Sequence, residues 1–329
     1  MRIVRALQAV QAYMSCFDKK RTGDSMSYTL LHCFDCDYKT VANKAKKIKE
    51  TGYDGVQIGP VQYCKEGEEN WKLYQPYSFY IGNKLGSYED LKEMVRVCHE
   101  EGLIVVADIV LRHLAGRENG EMEFHEKCDH GIVSNKNLVM NHNGNTWNYS
   151  DRWQLINMNA GMPTLNYYNK ELWYKCYFPL TDCLLNDIGI DGLRIDQMKH
   201  IALPDEGCDL LKELVERYPD KLIYGEAINL NELGNGYKDK YAKYCMLLMS
   251  MWEFYWDFNK AMYFVESHDT YHTFGNTRYY SDEERLDKWM LLAARGVNKL
   301  YFSRSKTLDE NEDKTIFCER MKWINESYR

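Results

Sequence analysis

An α/β fold, a (β/α)8 TIM barrel, is the class this sequence predicts. Eight short apolar, β-branched runs recur along the chain, each followed by helical or loop text. Eight such units fit a chain of 329 residues. The main alternative, a doubly wound open sheet, calls for a glycine-rich phosphate loop after an early strand, and none is present.

The elements follow in order. Met1 to Cys16 carries Arg2 and Arg5 without an acid, but Gln8 and Gln11 interrupt any apolar leader. Ala6, Leu7, Val10 and Met14 fall at helical spacing, so an amphipathic helix is expected there. Tyr28 to Phe34 is the first predicted strand. A Lys-rich helix, Val41 to Thr51, stops at Gly52, and its Lys44–Lys49 run reads as a solvated face. Asp54 to Ile58 is the second strand. After a polar, aromatic loop, Tyr88 to Glu101 places Leu91, Met94, Val95 and Cys98 on one helix face. Leu103 to Val110 is the third strand, apolar throughout as a strand buried on both faces should be.

The pattern then breaks into text rich in Asn, His and Gly. Residues 111–164 read as a small irregular subdomain inserted after the third strand, with the barrel over 1–110 and 165–329. Alternation resumes with a helix at Tyr168 to Asn186 and the fourth strand at Ile190 to Ile195. A helix at Cys208 to Arg217, the fifth strand at Leu222 to Tyr224 and a helix at Asn231 to Lys240 follow. The sixth strand is Tyr244 to Met249, and Met246, Met249 and Met251 read as barrel core or rim. A sixth helix has room only over Trp252 to Lys260, so a thin or open barrel is expected on that side. The Trp252 to Trp256 aromatic cluster reads either as core or helix packing or as a sugar platform. Met262 to Val265, a helix at Asp282 to Arg295, Lys299 to Phe302 and a helix at Ile316 to Asn325 close the chain. No strand-rich text remains for a C-terminal β-domain.

Composition excludes several functions. Hydrophobic residues make up 45% and charged residues 28%, which is globular, and the net charge of −7 offers no basic footprint for nucleic acid. No apolar run is long enough for a membrane span. Eleven scattered cysteines do not form a small secreted framework, so reduced thiols and a cytoplasmic setting are expected. Cys33 and Cys36 have redox or zinc spacing without a second pair. His125, Cys128, His130 and His142 match no common zinc pattern, so no metal site is predicted from either set. Oligomeric state is not legible.

Chemistry in a barrel sits at the C-terminal strand ends. Asp108 and His113 follow the third strand; Arg194, Asp196, Lys199 and His200 follow the fourth; Glu226 follows the fifth; His268 and Asp269 follow the seventh. Arg194 and Asp196 are two apart and share a strand face. Each acid alone reads as a solvated loop acid or a structural ion pair. Acids past several strand ends, two of them near histidines, read together as a site that could surround one scissile bond.

At these residues the sequence resembles the α-amylase superfamily of retaining glycoside hydrolases. Asp108-Ile-Val-Leu-Arg-His113, Gly192-Leu-Arg-Ile-Asp-Gln-Met-Lys-His200, Tyr224-Gly-Glu226 and Phe264-Val-Glu-Ser-His-Asp269 are similar to its four main regions. Tyr74-Gln-Pro76 and Met162-Pro-Thr-Leu-Asn166 resemble lesser motifs. The resemblance implies Asp196 as nucleophile, Glu226 as general acid and base with a raised pKa, and Asp269 as a third carboxylate that supports a distorted ring. Arg194, His113, His268, Tyr74, Gln75, Lys199 and His200 are implied as substrate-side residues, with Trp71 stacking on a further sugar. The substrate implied is a starch- or glycogen-type α-1,4-glucan or a maltooligosaccharide.

The chain also departs from the family. Arg112 stands where an asparagine usually binds calcium, and Thr164 where many members carry an aspartate. The site is therefore expected to be lost, leaving no cofactor, with Asp108 and Arg112 in structural roles. Ser267 replaces the asparagine of chloride-dependent members, and Asn70 a tryptophan of some. A neopullulanase-like hydrolase or glucan transferase is the nearest alternative. An inactive relative that binds glycan or a partner protein is the alternative of another class.

Overall fold

The computed structural model describes residues 27–118, 122–140, 144–234 and 236–328. The amphipathic helix expected near the N-terminus, Cys16 and His142 lie outside them.

Strands β1 (Thr29–Cys33) and β2 (Gly55–Pro60) are followed by an antiparallel pair, β3 (Gln62–Cys64) and β4 (Pro76–Ile81). Then come β5 (Ile104–Ile109), β6 (Gly192–Ile195), β7 (Leu222–Glu226), β8 (Met246–Ser250), β9 (Ala261–Phe264) and β10 (Asn298–Phe302). Strands β1, β2 and β5 to β10 close into one barrel in the order β1-β10-β9-β8-β7-β6-β5-β2, with parallel pairing at every step. These are the eight predicted strands, none displaced by more than two residues at either end.

Local chemistry sets the helix limits. Asp37 caps Tyr38–Glu50 by accepting from the Thr40 amide, and Ser87 with Asp90 forms a capping box on Tyr88–Glu100. The third barrel helix runs continuously from Lys170–Leu172 through Trp173–Tyr177 and Phe178–Asp182 to Cys183–Ile188, and ends at Gly189 with φ 89°.

Three expectations need correction. The aromatic loop after β2 contains β3 and β4. A three-residue strand and a proline-initiated partner are too short to leave a period in the text. The predicted helix at Asn231 to Lys240 splits into a 3-10 turn, Leu230–Leu233, and a short helix, Tyr237–Ala242, with Gly234 and Gly236 at positive φ between them. The sixth helix does not form. Only the 3-10 turn Phe258–Lys260 is regular, and the Asp257 side chain accepts from the Asn259 amide, diverting the backbone from a helix. The barrel is nonetheless closed on that side, because β8 pairs with both β7 and β9.

The barrel interior explains where the polar residues go. Leu30, Val106, Tyr224, Leu248, Met262, Phe264 and Leu300 fill the lumen as one apolar cluster. Alternation along a strand sends every second residue inward. On β5 the inward series is Ile104, Val106, Asp108; on β7 it is Leu222, Tyr224, Glu226. Continuing that parity on β6 gives Arg194 and then Asp196, so the lumen climbs from hydrocarbon to charge. Asp108, Arg194 and Tyr224 are register partners across β5, β6 and β7.

Arg112 ties the inserted segment to the barrel. Its buried guanidinium donates to the carbonyls of Met158 at 3.0 Å and Leu155 at 3.4 Å, and lies over the Tyr167 ring at 4.8 Å. Among the described residues no helix is long and apolar enough to cross a membrane, and no group of three or more His, Cys, Asp or Glu could hold a metal ion. The described cysteines are free thiols, and both Cys33 and Cys36 are buried.

Candidate active site

Arg194 organises the C-terminal end of the barrel. Its Nη1 donates to Asp108 Oδ1 and Oδ2, both at 3.0 Å, and to Asp196 Oδ1 at 2.8 Å. Its Nη2 donates to Glu226 Oε2 at 3.1 Å. One cation therefore touches three carboxylates from three adjacent strands, in the fork geometry that suits a guanidinium. The arginine is 2% exposed and Asp108 is fully buried, so neither charge is solvated by water.

The backbone after Asp196 contributes as well. Gln197 adopts a left-handed conformation with φ 49°, uncommon outside glycine, and its amide donates to Glu226 Oε2 at 3.1 Å. The turn at Gln197 brings Met198 down on β7. There a Cβ on Gly225 would lie 2.3 Å from the Met198 sulfur. Glycine next to Glu226 is what allows this close approach.

A cavity of about 690 Å³ opens over this cluster. Asp196, Glu226, Asp269, His268, Tyr74, Gln75 and Trp71 line it, so seven of the sequence-derived candidates share one surface. Tyr74 donates to Asp108 Oδ2 at 2.8 Å, which fixes its ring as a wall. His268 stacks on that ring at 5.1 Å and on Phe34 at 4.5 Å, with its Nε2 3.5 Å from Asp269 Oδ2. Asp269 begins a π-helical turn and accepts from Thr273 Oγ1 at 3.2 Å.

The other candidates lie behind this lining. His113 is buried with its Nε2 2.8 Å from the Tyr74 carbonyl, so it braces Tyr74. Lys199 donates to the Ile228 carbonyl at 3.1 Å, and buried His200 sits 3.2 Å from the Leu155 carbonyl in the inserted segment. Asn70 lines the cavity and accepts from Lys306 at 2.8 Å. Sequence reading missed Phe34, Glu69, Met162, Gln197, His272 and Thr273 on the cavity wall. His272 and Thr273 stand four residues after His268 and Asp269, a spacing that signals a shared face once a helical turn is assumed. Met162 was signalled by its place at the head of the Met162-Pro-Thr-Leu-Asn166 string, and Phe34 carried no such spacing.

Burial controls the proton affinities. It pushes Asp108 up to about 6, against the pull of Arg194 and the Tyr74 hydroxyl. Asp196 rises well above the usual carboxylate range through burial and the neighbouring Glu226, with Arg194 opposing. Asp269 is raised mainly by burial. Burial lowers His268 to about 3, with Arg194 adding to the effect, and burial lowers His113 to about 4. Both imidazoles are neutral at physiological pH, and each then has one N–H to donate. The arrangement can deliver a carboxylate and a proton to opposite ends of a polarised bond held against Tyr74.

Comparisons with known proteins agree with this geometry. The family model described as "Alpha amylase, catalytic domain" matches residues 11–317. An alpha-amylase of Clostridium acetobutylicum is 27% identical over 92% of this chain and 43% of its own length. One of Streptomyces violaceus is 29% identical over 62% of this chain and 37% of its own. The chain thus spans about two fifths of the length of these relatives. Among solved structures, an alpha-amylase from Geobacillus thermoleovorans complexed with acarbose superposes with a TM-score of 0.70 at 16% identity, over 93% of this chain and 79% of that one. At that identity the likeness speaks for the fold alone.

Proposed function

Since the chain belongs to the alpha-amylase family, we propose that it is a retaining glycoside hydrolase cleaving α-1,4-glucosidic bonds of starch- or glycogen-type glucans or maltooligosaccharides. One observation carries the reading: a single buried guanidinium holds Asp196 and Glu226 together at the floor of a cavity that also contains Asp269, His268 and Tyr74. In this scheme a glucosyl ring lies on Tyr74, with Asp269 and the N–H of His268 on its hydroxyls. Asp196 attacks the anomeric carbon while Glu226 gives its proton to the departing glycosidic oxygen. The shorter glucan leaves and a glycosyl ester remains on Asp196. Glu226, now ionised, takes a proton from water, and the resulting hydroxide equivalent displaces Asp196 with a second inversion. Burial favours retention of a proton on the Asp108 and Asp196 pair, with Arg194 opposing.

The test is the anomeric form of the first product released from maltoheptaose, followed by proton NMR. An α-anomer is expected. A β-anomer, or no cleavage of maltoheptaose, pullulan or cyclodextrin, would contradict the reading.

The calcium ion that the family resemblance implies does not suit the residues present. The Met158 and Leu155 carbonyls that could serve a hard cation already receive the Arg112 guanidinium, and Thr164 turns its hydroxyl to the Met162 carbonyl at 3.4 Å. We propose that Arg112 supplies internally the positive charge that anchors the inserted segment. EDTA should then leave Tm unchanged. Arg112→Met should lower it by roughly 3 °C, the loss of charged hydrogen bonds costing about 2 kcal/mol. A Tm that falls in EDTA and recovers with calcium would refute the substitution.

A further inference from the structure

The segment that replaces the sixth helix leaves three large rings in water. Trp252, Phe254 and Trp256 are 67%, 51% and 63% exposed, while Met251 just before them and Tyr255 between the last two are buried. The apolar side chains thus alternate between core and solvent instead of collapsing together. Core or helix packing, one of the two sequence readings of this cluster, accounts for buried Tyr255 and not for the outward rings.

Nor is the segment loosely held. Arg295 donates to the Met251 carbonyl at 2.9 Å and Lys238 to the Phe254 carbonyl at 3.1 Å. The Tyr255 hydroxyl and Trp256 Nε1 both donate to Asp239 Oδ1 at 3.0 Å. The Tyr255 amide donates to the Tyr263 hydroxyl at 3.1 Å. A backbone tethered to this degree keeps the rings displayed.

Their position supplies the occupant. The segment leaves the C-terminal end of β8, the end at which the acids stand. β8 lies between β7, which ends in Glu226, and β9, which leads to His268 and Asp269. Three exposed rings at alternate positions of a tethered segment mark a binding surface. Indole faces suit the C–H faces of hexoses, while the exposed Asp239 carboxylate suits their hydroxyls. We infer that Trp252, Phe254 and Trp256 form a platform that binds an α-glucan chain outside the cavity, holding polymeric substrate at the rim. This rests on the glucan-cleaving reading above and extends it from one bond to the chain around it.

The experiment compares Asp196→Asn protein with and without Trp252→Ala/Trp256→Ala, by native electrophoresis through gels containing amylopectin. Retardation of the Asp196→Asn parent is expected, with the apparent Kd rising about 10-fold in the alanine form and recovering in Trp252→Phe/Trp256→Phe. Maltotriose affinity, measured by fluorescence titration, should change less than twofold. Equal retardation of parent and alanine form overturns the platform, as does a parent that amylopectin does not retard. Dissociation of a parent dimer on alanine substitution, with glucan retention intact, assigns the rings to a second copy and also overturns it. Hydrolysis of maltoheptaose by the unmodified protein judges the underlying reading separately.

Discussion

Glu226→Gln should lower kcat on maltoheptaose by about 10⁴-fold, the upper range for loss of a general acid. Stability should be almost unaffected. The amide keeps an oxygen for the Arg194 Nη2 and Gln197 N–H bonds now made to Glu226 Oε2, and a carboxylate that crowds Asp196 is removed. The choice of substrate separates the two duties of the residue. A glucosyl fluoride needs no proton to release its leaving group, so formation of the glycosyl ester should persist while its hydrolysis, which needs the base, becomes slow. A burst of fluoride followed by slow turnover is the expected record. Turnover of maltoheptaose within tenfold of the parent, with contaminating hydrolases excluded, would remove Glu226 from the scheme.

Arg194→Met carries the largest structural cost. It strands Asp108, Asp196 and Glu226 without their common counter-charge. Breaking a buried pair from one side typically costs about 3–5 kcal/mol. The loss should depend on pH in a defined direction. Asp108 already sits at about 6 with the arginine present, above the roughly 3.9 of an unfolded aspartate. A carboxyl raised in the folded state holds a proton that the unfolded chain has released. Its contribution is therefore complete below the unfolded value and is lost as pH rises through the folded one. Removing Arg194 takes away the charge that opposes the rise of Asp108 and Asp196, and so raises both further. Urea denaturation should thus find the deficit small at about pH 4.5 and large at about pH 7.5. An equal deficit at both values would mean that packing, and not charge, is what Arg194 supplies. Arg194→Lys should recover part of the stability and little of the activity, because an ammonium cannot reproduce the planar fork.

Much of the molecule was readable because strands buried on both faces leave an unmistakable mark. Leu103 to Val110 has no polar interruption before Asp108 and could be placed from composition alone. The acids were readable for a related reason: a period of two, continued past the end of an apolar run, says which charged residue shares the inward face. What the text could not give was direction beyond the strands. His113, Lys199 and His200 stand in the same motifs as the cavity residues, yet their partners are carbonyls brought in by Tyr74, Ile228 and Leu155. Those partners exist only after folding. The segment after β8 misled for a different reason. Its length suited a helix, but an Asp257 turn and alternate burial of its rings replaced one.

The cluster around Arg194 also acts as an inspection step on assembly. Its members come from positions 108, 194, 196 and 226, so no two neighbouring strands can satisfy it alone. A slip of one residue on β6 would turn both the guanidinium and Asp196 out of the lumen and leave Asp108 enclosed without a cation. Mispaired barrels are thereby penalised by the same groups that would later do the chemistry, and a molecule that passes is already armed.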